Sequence, residues 1–299
     1  MTHFKGNLYG IAALALWSTM TGVMRSVTEA FGTAAGTALI YTLATVALYL
    51  KNGRPRLRAM PAVYVWGCGF FFVLYGIVFS QAVGLAVDHR QTLEVGMLNY
   101  LWPCLIIVLS IWINKERLHW LVWPGCVLSA AGIFWCLASG TEVTLAGFWA
   151  NIMTAPAPYA LGLTAALSWG IYCNLSRRYA QGHNGVTAFF GVVAAALWIN
   201  FLLRGDSVYY PGLWPICELI FLGAAFGASY SLWETGIHRG NMVFLAILSY
   251  FTPAVSMLFM CLWFKTLPAS GFWLGVAMVV GGSLLCWLSV RKGAMGAGA

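Results

Sequence analysis

From Val186 to Leu203 the chain reads VTAFFGVVAAALWINFLL, 18 residues without a charge. At the rise of an α-helix, a run of about this length matches the roughly 30 Å hydrocarbon core of a bilayer. Ten such runs follow one another, near residues 7–25, 32–50, 62–86, 92–113 and 120–138, then 159–177, 186–203, 215–237, 241–264 and 271–290. Turn-forming stretches such as KNGRPRLR, INKER, NIMTAPAP, RRYAQGHNG and RGDSVYYPG separate them. Backbone in lipid must satisfy its own N–H and C=O groups, which leaves helices or closed barrels. The two-residue alternation of a barrel is absent, so the sequence predicts an all-α integral membrane protein with ten transmembrane helices. Composition agrees: 8% of the 299 residues are charged, about a third of the share in a soluble domain.

The net charge of +8 raises the possibility of a nucleic-acid partner, but its distribution argues for topology instead. With a cytoplasmic N-terminus, Lys5, Lys51, Arg54, Arg56, Arg58, Lys115, Arg117, Arg177, Arg178, Arg239, Arg291 and Lys292 all fall on the inner side. That is 12 of the 16 Lys and Arg, leaving Arg25, Arg90, Arg204 and Lys265 outside. The asymmetry obeys the positive-inside rule and places both termini in the cytoplasm. The expected surroundings are therefore a lipid bilayer, with no nucleic acid as partner. The first run follows MTHFKGNLYG without a small-residue cleavage site, which favours a retained first helix over a signal peptide. The eight cysteines are scattered without a C-x-x-C or a His/Cys spacing, so neither metal nor cofactor is expected.

The two halves of the chain resemble one another. MLNYLWPC at 97–104 recurs as ILSYFTPA at 247–254, an offset of 150 that aligns Leu98, Tyr100 and Pro103 with Leu248, Tyr250 and Pro253. The same offset pairs Lys115 with Lys265, Trp123 with Trp273, and Gly125 and Gly132 with Gly275 and Gly282. Upstream an offset of 152 pairs Trp17 with Trp169, Arg25 with Arg177 and Gly84 with Gly236. Five spans per copy is an odd number, so the second copy crosses in the opposite sense. The expected organisation is a five-helix repeat over 1–139, an external connecting loop over 140–158 and an inverted five-helix repeat over 159–299. Inverted repeats are an architecture of secondary transporters, whose substrate sits near the midplane between the repeats.

The prolines of the fourth and ninth spans, each followed by a Lys-containing turn and a helix with Gly at a seven-residue spacing, resemble the drug/metabolite transporter superfamily. The resemblance is to its ten-helix EamA-type members, and within them to the YddG-type aromatic amino-acid exporters, along most of the chain. It implies alternating access and export of a small-molecule substrate from the cytoplasm, a direction that no residue establishes, by a monomer in a bacterial inner membrane. That family usually places an acid in the turn after its fourth span. Lys115-Glu116 fits this, while Lys265-Thr266 departs from it.

Candidate substrate-binding residues are aromatic or polar side chains at mid-depth. Trp17 and Trp169 lie in the middle of the first and sixth spans, where an indole N–H needs a partner in a dry setting. Asn99, Tyr100 and Trp102 precede Pro103; Ser249, Tyr250 and Thr252 precede Pro253. Each proline kinks its helix and frees the carbonyl four residues back, at Asn99 and Ser249, which is costly unless it faces protein or a cavity. Tyr75, Tyr230 and Trp233 complete the set. Each residue taken alone is equally well explained by packing; the paired occurrence is what points to a cavity. Glu94, Glu218 and Glu234 lie near span ends, suited to pathway mouths or to paired structural roles, and Glu234 is placed for a helical pair with His238. Gly32/Gly36, Gly223/Gly227 and Gly271/Gly275 permit close helix contact.

A lining of neutral aromatics and hydroxyls suits an aromatic or other neutral amino acid as zwitterion, whereas an anionic substrate demands the mid-membrane Lys or Arg that is missing. The first expectation is thus a secondary transporter exporting such amino acids. The alternatives are an exporter of another small metabolite or drug, an integral membrane enzyme, or a channel-like or structural protein. No H-E-x-x-H, G-x-S-x-G or paired intramembrane Asp supports catalysis.

Overall fold

The computed structural model describes residues 3–141, 143–205, 212–263, 265 and 267–296; the separator residues 206–211 and Thr266 lie outside them. The described residues are overwhelmingly helical. In chain order the helices are α1 (His3–Phe31), α2 (Thr33–Asn52), α3 (Gly69–Gly84), α4 (His89–Asn99), α5 (Trp102–Ile113), α6 (Val122–Ala138) and α7 (Leu145–Thr154). They continue as α8 (Pro156–Tyr179), α9 (Val186–Arg204), α10 (Leu213–Arg239), α11 (Met242–Ser249), α12 (Thr252–Trp263) and α13 (Ser270–Gly296). A π-helical segment, Val63–Cys68, leads into α3.

Among the described residues, six helices are long and apolar enough to cross a membrane, and the pair Met242–Ser249 and Thr252–Phe259, bent by 41°, makes up to seven. The shorter α6 is apolar over 17 residues, and α1 and α8 occupy two further expected positions with more polar residues along them. The chain is a multi-pass membrane protein. Large apolar side chains such as Leu50, Trp66, Val127 and Leu203 are exposed over most of their area, an outer surface suited to hydrocarbon and not to water. The stretch read as a connecting loop holds α7, started by Thr144, whose hydroxyl accepts from the Gly147 N–H at 3.1 Å. The helix is only ten residues long, which hides it among the turn-forming residues of NIMTAPAP.

The chain divides into two compact units that do not follow the sequence halves: Met1–Ser80 with Leu175–Asn241, and Gln81–Asn174 with Met242–Ala299. In the first unit α10 packs along α1 and α2, and α2 along α9. A Cβ added at Gly223 would lie 2.4 Å from Leu43 Cβ, and one at Gly227 would lie 2.9 Å from the Ala44 carbonyl oxygen, so both glycines set the approach of α10 to α2. Gly32 has another role. With φ 84° it is the joint between α1 and α2, a left-handed conformation that glycine adopts without strain. Gly36 then rests on Thr28 of α1.

In the second unit α6 packs against α13 along most of its length. The seam is reciprocal: a Cβ at Gly125 would meet the Gly282 carbonyl oxygen at 2.9 Å, and one at Gly132 would meet that of Gly275 at 2.8 Å. Repeat-related positions also share local geometry there. Helix breaks fall at Tyr100-Leu101 and at Tyr250-Phe251, two to three residues before each proline. Lys115 and Lys265 both carry positive φ, 59° and 53°.

Candidate functional site

Four of the predicted residues belong to the first unit, and three of them meet. Trp17 sits mid-helix on α1, and its ring lies 5.1 Å from that of Tyr230 and 5.3 Å from that of Trp233, centroid to centroid. Tyr230 and Trp233 are three apart on α10 and therefore share one face. Tyr230 is also 4.8 Å from Phe226, 5.2 Å from Phe190 and 5.8 Å from Phe72. These are edge-on and tilted arrangements that aromatic quadrupoles favour. Trp233 is fully buried and Tyr230 nearly so, while Trp17 keeps accessible surface. The cluster thus presents one indole braced by a rigid aromatic wall. Tyr75 stands apart, half-buried and stacked on Phe79 with centroids 6.0 Å apart.

The second unit holds the remaining residues, in two environments. Ser249 and Tyr250, at the α11 break, are fully buried. Ser249 Oγ donates to the Ala246 carbonyl at 2.7 Å, and the single Tyr250 hydroxyl proton is shared between Cys104 Sγ at 3.1 Å and Cys126 Sγ at 3.4 Å. Both side chains are used within the core. Asn99 and Thr252 differ: each is more than nine-tenths buried, yet Asn99 Oδ1 and Thr252 Oγ1 have no hydrogen-bond partner. Tyr100 is half-buried between α4 and α5, Trp102 is buried just before Pro103, and Trp169 is buried with its ring 5.1 Å from Tyr172. Two of the unpaired polar side-chain atoms, Asn99 Oδ1 and Thr252 Oγ1, thus lie at the helix breaks beside Pro103 and Pro253.

The three acids singled out from the sequence, Glu94, Glu218 and Glu234, are all engaged. Glu94 is fully buried; both its oxygens accept from Asn151 Nδ2, at 3.2 and 3.1 Å, and Oε2 also accepts from Tyr159 Oη. Arg90 Nε lies 3.5 Å from Glu94 Oε1. Glu218 accepts from Ser26 Oγ at 2.7 Å. Glu234 is fully buried, with His238 Nε2 at 3.3 Å, the helical pair that the spacing predicts. Two further donors to Glu234 are not visible in the sequence: Tyr64 Oη and Ser176 Oγ each donate to Oε1 at 2.6 Å. They lie 170 and 58 residues away along the chain, so no local pattern points to them. Arg177, beside Ser176, donates from Nη1 to the carbonyls of Ile237, His238 and Gly240 at 2.6 to 2.8 Å, closing the open end of α10. Among the described residues no group of three or more His, Cys, Asp or Glu is arranged to hold a metal.

Comparison with known proteins supplies the context for these residues. The EamA-like transporter family matches the chain twice, over residues 4–138 and 157–288. The aromatic amino acid exporter YddG of Escherichia coli (strain K12) is 37% identical over 293 residues, 98% of this chain and 100% of the relative. Its counterpart in Salmonella typhimurium is 36% identical over 292 residues, with the same coverage. The exporter of that name in Ancylobacter novellus is 28% identical over 302 residues. A solved crystal structure superposes with a TM-score of 0.78 at 25% identity, over 96% of this chain and 99% of its own.

Proposed function

The chain belongs to the EamA-like transporter family, and from that premise we propose that it is a secondary transporter exporting aromatic and other neutral amino acids by alternating access. The observation that carries the reading is the full-length likeness to exporters of aromatic amino acids at 37% identity. Ten spans arranged as two inverted five-helix repeats, over 1–139 and 159–299, belong to the same proposal. The double family match, the equivalent helix breaks and the shared left-handed conformation of Lys115 and Lys265 support it. The same proposal takes in a bacterial inner membrane as its setting, both termini in the cytoplasm, and action as a transporter and not an enzyme.

The side chains favour a zwitterion with an aromatic group. In the first unit Trp17, braced by Tyr230 and Trp233, offers a face for stacking; within the second unit, taken by itself, Asn99 and Thr252 offer polar atoms not yet used. Tyr75, Tyr100, Trp102 and Trp169 remain candidates for lining, while the engaged Ser249 and Tyr250 hold the α11 break in shape. A cationic drug, the second reading, needs an accessible carboxylate, and both buried acids already accept from several donors. An anionic substrate is disfavoured because Arg177 is occupied by three carbonyls.

The test is flux of labelled Phe, Trp, Thr and a cationic dye across proteoliposomes containing the purified protein. Saturable Phe and Trp flux, with weaker Thr flux, is the expected result. Dye flux without amino-acid flux would transfer the protein to the drug-exporting reading.

A further inference from the structure

The Glu234 cluster is not among the candidates for substrate lining, yet it joins four side chains, Tyr64, Ser176, Glu234 and His238, in one buried polar network of the first unit. With Glu234 taken as a carboxylate, the hydrogen atoms of the network follow. The Tyr64 hydroxyl accepts from the Gly185 N–H at 2.8 Å and has one proton to give, which goes to Glu234 Oε1. The Ser176 hydroxyl likewise spends its one proton on Glu234 Oε1. Its 2.8 Å contact with His238 Nε2 is then a bond in which the imidazole donates. Nε2 carries hydrogen in either charge state, and a proton enters or leaves the ring at Nδ1 without breaking the network. A carboxylate oxygen that accepts two hydroxyls, with an imidazole nitrogen 3.3 Å away, is a buried acid–base pair.

The position of the network matters as much as its chemistry. Tyr64 stands in the π-helical segment before α3, Gly185 starts α9, Ser176 lies in the last turns of α8, and Glu234 and His238 close α10. One carboxylate thus ties four segments of the unit together. Two of the chain's passages between compact units, after Asn174 and after Asn241, lie within a few residues of it. A transporter must let such segments move.

We propose that Glu234 and His238, held by Tyr64 and Ser176, form a proton-binding site whose occupancy controls the rate of transport. With the proton bound, the imidazolium faces the carboxylate and holds the four segments together. When the proton leaves Nδ1 for water, that attraction is lost and the segments are freer to move. Other titratable groups lie on the elements packed around the pair: Lys5 and Tyr9 on α1, Tyr49 and Lys51 on α2, and Cys68 on the π-helical segment. At the same end α8 carries Arg177 and Arg178, the following loop His183, and α10 itself Arg239; α9 has only Arg204, at its far end.

The inference rests on the transport reading, and the experiment separates the two. Counterflow of labelled Phe is measured in proteoliposomes with equal pH inside and out, stepped from about 5.5 to 8, the window in which histidine changes charge while Phe stays zwitterionic. The wild type should exchange faster as pH rises, and Glu234→Gln and His238→Gln should flatten that profile. Tyr64→Phe keeps the ring but removes one donor from the carboxylate, which raises the pair's affinity for protons. Its midpoint should move to higher pH by about one to two units, a displacement that general damage to the fold would not produce. A wild-type rate indifferent to pH, or a Tyr64→Phe profile with an unmoved midpoint, overturns the proposal. No counterflow at any pH would instead remove the transport reading on which it rests.

Discussion

Gly282→Ala tests how the second unit is held together, because its neighbour provides an internal control. A Cβ at Gly282 would lie 2.3 Å from Ser129 Oγ, 2.5 Å from Ser129 N and 2.7 Å from the Gly125 carbonyl oxygen. The hydroxyl can rotate away, but the other two atoms are backbone. Restoring an ordinary contact of about 3.5 Å means moving α13 off α6 by about 1 Å. A gap of that size forfeits a quarter to a half of each dispersion contact along the seam, and overpacking of this kind costs about 1–3 kcal/mol. Alanine returns up to about 1 kcal/mol through its helix preference over glycine. At Gly281 the same Cβ meets only Leu128 Cδ2, at 3.4 Å, so Gly281→Ala keeps the gain without the cost. The propensity term is common to both, and the difference between the variants should be about 2 kcal/mol, some thirtyfold in the unfolding constant. Reversible unfolding in mixed micelles, followed by tryptophan fluorescence, measures it. Equal stability of the two variants would show that the seam yields without loss and that the glycines do not set the α6–α13 approach.

Trp17→Ala should leave the protein folded, because that indole keeps accessible surface, and should raise the half-saturating Phe concentration about two- to tenfold, the worth of one aromatic contact; an unchanged value would make Trp17 a packing residue only. Tyr250→Phe removes a hydroxyl bonded to two thiols in the core, and is expected to cost about 1 kcal/mol of stability with an unchanged Phe half-saturation. A shifted half-saturation would place Tyr250 at the substrate. Asn151→Ala and Tyr159→Phe each remove donors from the buried Glu94 and should destabilise by about 1–3 kcal/mol; since both act on one carboxylate, the double variant should depart from additivity, and strict additivity would argue against a shared network.

What the sequence determined by itself was everything with a short range. Uninterrupted apolar length dictates helices in lipid, and a proline forbids one backbone bond wherever it falls, which places the breaks near Pro103 and Pro253 without knowledge of the fold. The Glu234–His238 pair was legible for the same reason, since residues four apart on a helix are neighbours whatever surrounds them. Trp17 and Trp169 could be singled out by depth, but not their company. The tertiary structure decided that Tyr230 and Trp233 stand behind Trp17, whereas Ser249 and Tyr250, equally prominent in the repeat, face the core. It also decided that Gly32 is a joint, while Gly125 and Gly282 interlock. Tyr64 and Ser176 had no sequence signal at all. Hydropathy and helical period record what a residue needs from lipid and from its own turn. Which side chains meet across a seam depends on how ridges and glycine gaps of whole helices fit, and that information exists only once the helices are packed.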